Sequence, residues 1–315
     1  MRRSGGARPP ATASSARNRL IAFRRAHRTP RLRAHSVAAR GLSFAVFTTA
    51  EVPGATPLVC VNGGLIHGHE LLWPALAPLA ERRQLVLYDQ RGRGASEAPE
   101  DPSLSRIEDD AADLSALRRA IGVRAWDVLG HSWGGGIAAL GAERDLEGTR
   151  RLVLVDPVGV TSRWIAGLHD DAMKRLDATG RAMLEHIDVA QLRSGDAETH
   201  SRFARALFPA WFADPSLAAF VPLPRAASAT GAAVAGRLWR DGYDWRSLFR
   251  ALTRPTIVIH GERDLLPLAE ATELASVLPR ATVAPVRDAG HLPYLESPEL
   301  FFGLVEDFLT PQGPV

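Results

Sequence analysis

Residues 126–140 constrain this chain more than any other stretch. Trp126, Val128 and Leu129 suit a buried strand and Ile137-Ala138-Ala139-Leu140 suits a helix, with only Gly130-His131-Ser132-Trp133-Gly134 at the junction. A strand that becomes a helix within so few residues needs a strained turn. Glycines at 130 and 134 leave room where a Cβ would crowd neighbouring backbone. The turn lifts Ser132 out of the sheet edge, at the positive end of the following helix, where an oxyanion can be held. The plainer reading is a helix entry with a capping serine. Gly-x-Ser-x-Gly between a strand and a helix favours a nucleophile.

The rest of the chain supplies the setting. Leu42–Thr48 alternates at the period of a strand and suits an opening hairpin; Leu58–Val61, Leu85–Tyr88, Leu152–Val155, Thr256–His260 and Ala281–Val286 read as further strands. Helices are expected at about 70–80, from a Ser105–Glu108 capping box to about 120, at about 267–278 and at about 298–309. This alternation predicts an α/β fold: a doubly wound, mostly parallel sheet of eight strands. Between about 160 and 246 the pattern is helical, so residues 160–246 are expected to form an inserted helical cap on a core of 39–159 and 247–315.

In such a sheet, ligands bind outside the carboxyl ends of the strands. Three residues follow strands directly: Ser132, Asp264 in Gly261-Glu262-Arg263-Asp264, and His291 in Asp288-Ala289-Gly290-His291. Serine is a weak nucleophile at neutral pH without a base. In this set His291 takes its proton and Asp264 fixes the imidazole tautomer. Asp264 also suits a helix cap, and Asp156 is its nearest rival. Two backbone N–H groups complete an oxyanion site, one from Trp133 and one from the loop after Leu58–Val61, where Gly64 sits. Gly63, Leu65, His131, Trp164 and Trp211 are candidates for a substrate pocket, with His67 and His69 near the same loop. The cap aromatics Phe203, Phe208, Phe212, Phe220, Trp239 and Trp245 suit either the pocket or the cap's own core. No metal-ligand spacing stands out, so no metal or cofactor is expected.

The ordered motifs resemble the α/β-hydrolase superfamily over about residues 42–310. Within it, Asn62-Gly63-Gly64, Tyr88-Asp89-Gln90-Arg91-Gly92-x-Gly94-x-Ser96 and Gly130-x-Ser132-Trp133-Gly134 resemble the proline iminopeptidase family. That resemblance implies a Ser132–Asp264–His291 triad, an oxyanion hole at Gly64 and Trp133, and release of an N-terminal amino acid through an acyl-enzyme. Small-ester or C–C bond hydrolysis is the alternative within the superfamily, and a non-catalytic receptor is the alternative outside it. The family's oxyanion loop usually reads His-Gly-Gly-Pro-Gly, where this chain has Asn62-Gly63-Gly64-Leu65-Ile66, and it usually has glycine in place of His131. Its cap carboxylates, which meet the substrate amine, find only compositional counterparts in Glu185 and Glu198.

Charge matters chiefly through its distribution. Eleven arginines and no Asp or Glu lie in residues 1–50, leaving 27 basic against 35 acidic residues in the rest of a 315-residue chain. The globular part is acidic, which argues against a nucleic-acid partner; the family resemblance implies a small-molecule or short-peptide substrate. Residues 1–38 read as a disordered Arg-rich extension. No apolar run suits a membrane span, and the lone Cys60 in a strand fits a reducing, cytoplasmic setting.

Overall fold

The structure, a computed structural model, describes residues 13–310. One sheet holds β1 (Arg33–Ala39), β2 (Leu42–Thr48), β3 (Leu58–Val61), β4 (Leu85–Tyr88), β5 (Trp126–His131), β6 (Thr149–Val155), β7 (Thr256–Gly261) and β8 (Ala281–Val286). The spatial order is β1-β2-β4-β3-β5-β6-β7-β8. From β4 to β8 neighbours run parallel, while β1 and β2 form an antiparallel hairpin against β4. β3, β4, β5 and β7 are buried along their whole length, as parallel strands covered on both faces must be.

Twelve helices accompany the sheet among the described residues: α1 (Ala13–Ala26), α2 (Ile107–Ala120), α3 (Trp133–Arg144), α4 (Ile165–Arg175), α5 (Ala178–Glu185), α6 (Val189–Ser194), α7 (Ala197–Leu207), α8 (Ala229–Asp241), α9 (Arg246–Phe249), α10 (Leu268–Val277), α11 (Pro293–Glu296) and α12 (Pro298–Leu309). The period of two in the strands divides the core. Val59, Val128, Leu154 and Val258 pack with Ile107, Leu114, Ile137 and Leu274 of α2, α3 and α10. On the other face, Leu58, Cys60, Leu129 and Ile257 pack with Leu20 of α1 and Phe301, Val305 and Leu309 of α12. Helices α4 to α9 lie between β6 and β7. Their connection leaves the sheet after Val155, at the edge where Ser132 also emerges.

Three expectations need correction. The Arg-rich extension is not disordered through residue 38, though its part before residue 13 lies outside the described residues. α1 buries Leu20, and β1 pairs with β2 through seven residue pairs from Arg33↔Thr48 to Ala39↔Leu42. β1 is an edge strand exposed on both faces for most of its length, so it carries no hydrophobic alternation to read. The helix expected at 70–80 is instead two short 3₁₀ turns, His69–Leu71 and Ala77–Glu81; Pro74 and Pro78 lack the N–H groups a continuous helix requires. The cap of α2 is shifted by one residue, since Arg106 precedes the helix and its N–H meets the Asp109 carboxylate at 3.3 Å.

Candidate active site

β5 lies between β3 and β6, with Val61↔Gly130 on one side and His131↔Val155 on the other. The turn that follows is as tight as the sequence demands. Ser132 has φ +56° and ψ −124°, a region side chains other than glycine rarely enter. A Cβ at Gly130 would sit 2.3 Å from the Gly134 carbonyl oxygen, and one at Gly134 would sit 2.1 Å from that of Val61. Both overlaps are with backbone, so glycine is obligatory at both positions. α3 starts at Trp133, and the N–H groups of its first turn have no partner within the helix.

His291 and Asp264 reach the same edge from β8 and β7. His291 Nδ1 lies 2.8 Å from Asp264 Oδ2. A carboxylate only accepts, so Nδ1 carries the proton and the Nε2 lone pair is left available. Asp264 also caps the next turn, its Oδ1 accepting the Leu266 N–H at 3.2 Å. Burial pushes the Asp264 carboxyl up, but His291, His260 and Asp156 around it bring it below the ordinary value. Asp156, the rival acid, neighbours Asp264 and lies 3.5 Å from His260 Nδ1, while the carboxylate on His291 Nδ1 is that of Asp264. Burial and the charge on Asp264 raise the Asp156 carboxyl well above the usual range, and its Oδ1 accepts the Gly261 N–H at 2.8 Å. Asp156, His260 and Asp264 bring ligand atoms within 4.8 Å of one another. His260 Nε2 donates to the Leu266 carbonyl at 3.0 Å and Asp264 holds His291, while His260 Nδ1 has no hydrogen-bond partner among the described residues.

Ser132, Trp133, His291, Gly64, Leu65, His131, Trp164 and Trp211 line one cavity of about 120 Å³. Gly63 does not line it. It is pressed against the turn, where a Cβ would sit 2.6 Å from the His131 carbonyl oxygen and 3.2 Å from the Trp133 nitrogen. That close approach brings the Gly63–Gly64 loop against the start of α3. Of the cap aromatics, Phe203, Phe208 and Trp239 also line the cavity; Phe212 and Trp245 are core, and Phe220 is exposed. His67 lines the cavity too, and burial lowers it to about 4. His69 instead stacks on Phe47 and meets Asp89 Oδ1 at 2.9 Å.

His131 donates from Nε2 to the His291 carbonyl at 2.8 Å, and burial lowers its own pKa to about 3, so it stays neutral and orients its neighbour. Other contacts that hold the site were not legible in the sequence, among them a second role for Trp211, expected only as a pocket residue. Trp211 stacks on the His291 ring at 4.3 Å, and its carbonyl accepts the His291 N–H at 2.7 Å. Arg175 of α4 donates to the carbonyls of Asp264 (2.6 Å), Arg263 (2.8 Å) and Ala210 (3.2 Å). Glu296 accepts the N–H of Gly290 (3.0 Å) and of Ala213 (2.8 Å), tying the His291 loop to the cap. Gln90 donates to the Asn62 carbonyl at 2.9 Å, which gives the Asp-Gln-Arg-Gly motif a structural purpose.

A family model described as alpha/beta hydrolase fold matches residues 56–298. A 2-hydroxymuconate semialdehyde hydrolase from Pseudomonas sp. (strain CF600) is 31% identical over 76% of this chain and 81% of its own length. A proline iminopeptidase from Heyndrickxia coagulans is 24% identical over 82% of this chain and 92% of its own. The enol-lactonase from Burkholderia xenovorans LB400 superposes with a TM-score of 0.68 at 23% identity, over 88% of this chain and all of that one. With a sheet of this order, a serine on a strained strand-to-helix turn and a matching family model over most of its length, the chain belongs to the α/β-hydrolase superfamily.

Proposed function

We propose that this protein is a cofactor-independent serine hydrolase that cleaves an ester or amide with an apolar acyl group. The observation that carries the reading is the 2.8 Å contact of His291 Nδ1 with Asp264, beside a cavity that Ser132 and His291 both line. Ser132 Oγ attacks the substrate carbonyl while His291 Nε2 takes its proton. The Trp133 and Gly64 N–H groups receive the oxyanion, and a contact of this kind is typically worth ~10²–10³ in rate. Collapse of the tetrahedral intermediate expels the leaving group, which takes the proton from His291. Water then repeats the sequence on the acyl-enzyme. Asp264 keeps Nδ1 protonated throughout and stabilises the imidazolium.

The lining of the cavity bears on the substrate. It contains Trp164, Leu168, Phe203, Leu207, Phe208 and Trp211 and, among the described residues, no Asp, Glu, Lys or Arg. Release of an N-terminal amino acid therefore has weaker support than ester cleavage, because no carboxylate stands ready for a free amine. Glu198 pairs with Arg205 at 3.7 Å and Glu185 is exposed, both outside the cavity. C–C bond hydrolysis is the second reading. It is favoured by the 31% identical relative and by His67, a buried neutral imidazole in the lining whose Nδ1 has no partner among the described residues, which suits a proton transfer other than that of His291.

A turnover panel of p-nitrophenyl esters, amino-acid arylamides and a vinylogous 1,5-diketone tests these readings. Ester cleavage that vanishes in Ser132→Ala is expected. Arylamide turnover exceeding that of every ester would replace the reading with an aminopeptidase, and turnover of the diketone alone would replace it with a C–C hydrolase.

A further inference from the structure

A second cavity, of about 340 Å³, lies between α1 and the core, and Leu71, Phe208 and Leu292 line both it and the catalytic cavity. Two of these shared residues adjoin the proposed catalytic residues. Leu292 follows His291 in the chain, and Leu71 Cδ2 lies 3.4 Å from where a Cβ on Gly64 would be. All three side chains are hydrocarbon, so the partition presents no polar side chain that an alkyl chain would have to desolvate.

Beyond the partition, Leu20 and Phe23 of α1 face Trp73, Pro78 and Leu295; of the polar lining, His27 is half-buried and Thr29 and Glu70 are solvent-exposed. α1 is held in place by its apolar side, with Leu20 buried and Phe23 stacked on Phe302 at 5.2 Å, while Arg17 covers the Phe220 ring at 4.3 Å. The catalytic cavity alone is smaller than the roughly 300–1,000 Å³ usual for ligand sites; joined to the second cavity it enters that range.

We infer that the two cavities form one channel, and that the cavity under α1 receives the aliphatic tail of the acyl group whose carbonyl lies at Ser132. This rests on the hydrolase reading and adds its substrate class: a medium- or long-chain acyl compound. α1, drawn from the Arg-rich leader, is then the outer wall of the tail site.

The test compares p-nitrophenyl esters from acetate to dodecanoate, using the full chain and two variants that fill the outer cavity, Ala75→Trp and Val221→Trp. In the unmodified protein kcat/KM should climb about threefold to fourfold per methylene once the tail passes the partition. The decanoate-to-acetate ratio should fall at least tenfold in each variant. Calorimetric binding of decanoic acid, which needs no turnover, should weaken at least tenfold in both. Ester turnover indifferent to chain length, with decanoic acid binding unchanged in the variants, would overturn the channel and leave the hydrolase intact. Absence of ester turnover, with decanoic acid binding still weakened by both variants, would overturn ester hydrolysis and retain the tail site. A preference for decyl acetate over p-nitrophenyl decanoate would contradict placing the tail on the acyl side.

Discussion

Arg93 donates from Nε to the Leu65 carbonyl at 2.7 Å while its other nitrogens grip both oxygens of Asp110 at 2.8 and 2.9 Å. Both charged side chains are fully buried. Leu65 follows Gly64 and has a positive φ of 52°, so its conformation needs an external hold. With Gln90 on Asn62, the turn after β4 fixes both ends of the Asn62–Leu65 loop, the proposed oxyanion loop, from outside the cavity.

Arg93→Met leaves Asp110 as an unpaired buried carboxyl and is expected to cost ~3–5 kcal/mol of stability. The double variant Arg93→Met with Asp110→Leu should recover most of that loss. Its turnover should stay at least tenfold low, because the Leu65 carbonyl remains untethered. Denaturant unfolding and ester kinetics on the same samples separate the two effects. Full recovery of activity in the double variant would show that the loop does not need Arg93.

Arg175 lies on the cap, yet it holds the main chain of Asp264. Arg175→Met should lower kcat by about tenfold to a hundredfold with little change in KM, since small misplacement of a catalytic group is costly. Steady-state kinetics on a short ester decides it. A rise in KM alone would make Arg175 a pocket residue instead.

Burial pushes the Glu296 carboxyl up to about 8 from an ordinary 4.5. Between those values the folded chain keeps a proton that the unfolded chain has lost. Stability from this group is therefore present at low pH and declines as pH rises from about 4.5 to about 8, by at most ~1.4 kcal/mol per unit. Glu296→Gln should flatten the fall of Tm over that interval while lowering Tm at acid pH, where the amide NH₂ must face a backbone N–H. Parallel Tm-against-pH curves would refute the assignment.

Gly63→Ala places a methyl 2.6 Å from the His131 carbonyl oxygen and 2.7 Å from Ser132 Cβ. The turn must move to admit it, and ester turnover should fall at least a hundredfold. Near-normal activity would mean that the loop and the turn are not held together as described.

Much of this molecule was written plainly in its sequence. The continuous apolar runs 58–61 and 257–259 and the glycines at 130 and 134 each answer to a local requirement, burial on two faces in the first case and backbone crowding in the second. β1 and α1 escaped because an exposed edge strand has no alternation and an Arg-rich helix resembles a disordered leader; the spacing of Leu20 and Phe23 was the signal available. The holders of the site escaped for another reason. Arg175, Trp211 and Glu296 act on residues 80 or more positions away or through main-chain atoms, and side-chain identity alone does not announce such contacts. Gln90 was visible as part of a motif and Arg93 only as its variable position; their purpose appears when the carbonyls of Asn62 and Leu65 are seen beside them.

The central claim is that Ser132 is the nucleophile, activated by His291. Intact-mass and peptide mapping after treatment with a fluorophosphonate tests it most directly. One adduct per chain, carried on Ser132 and absent from Ser132→Ala and His291→Ala, is the predicted result. An adduct on another residue, or one that persists in Ser132→Ala, would contradict it.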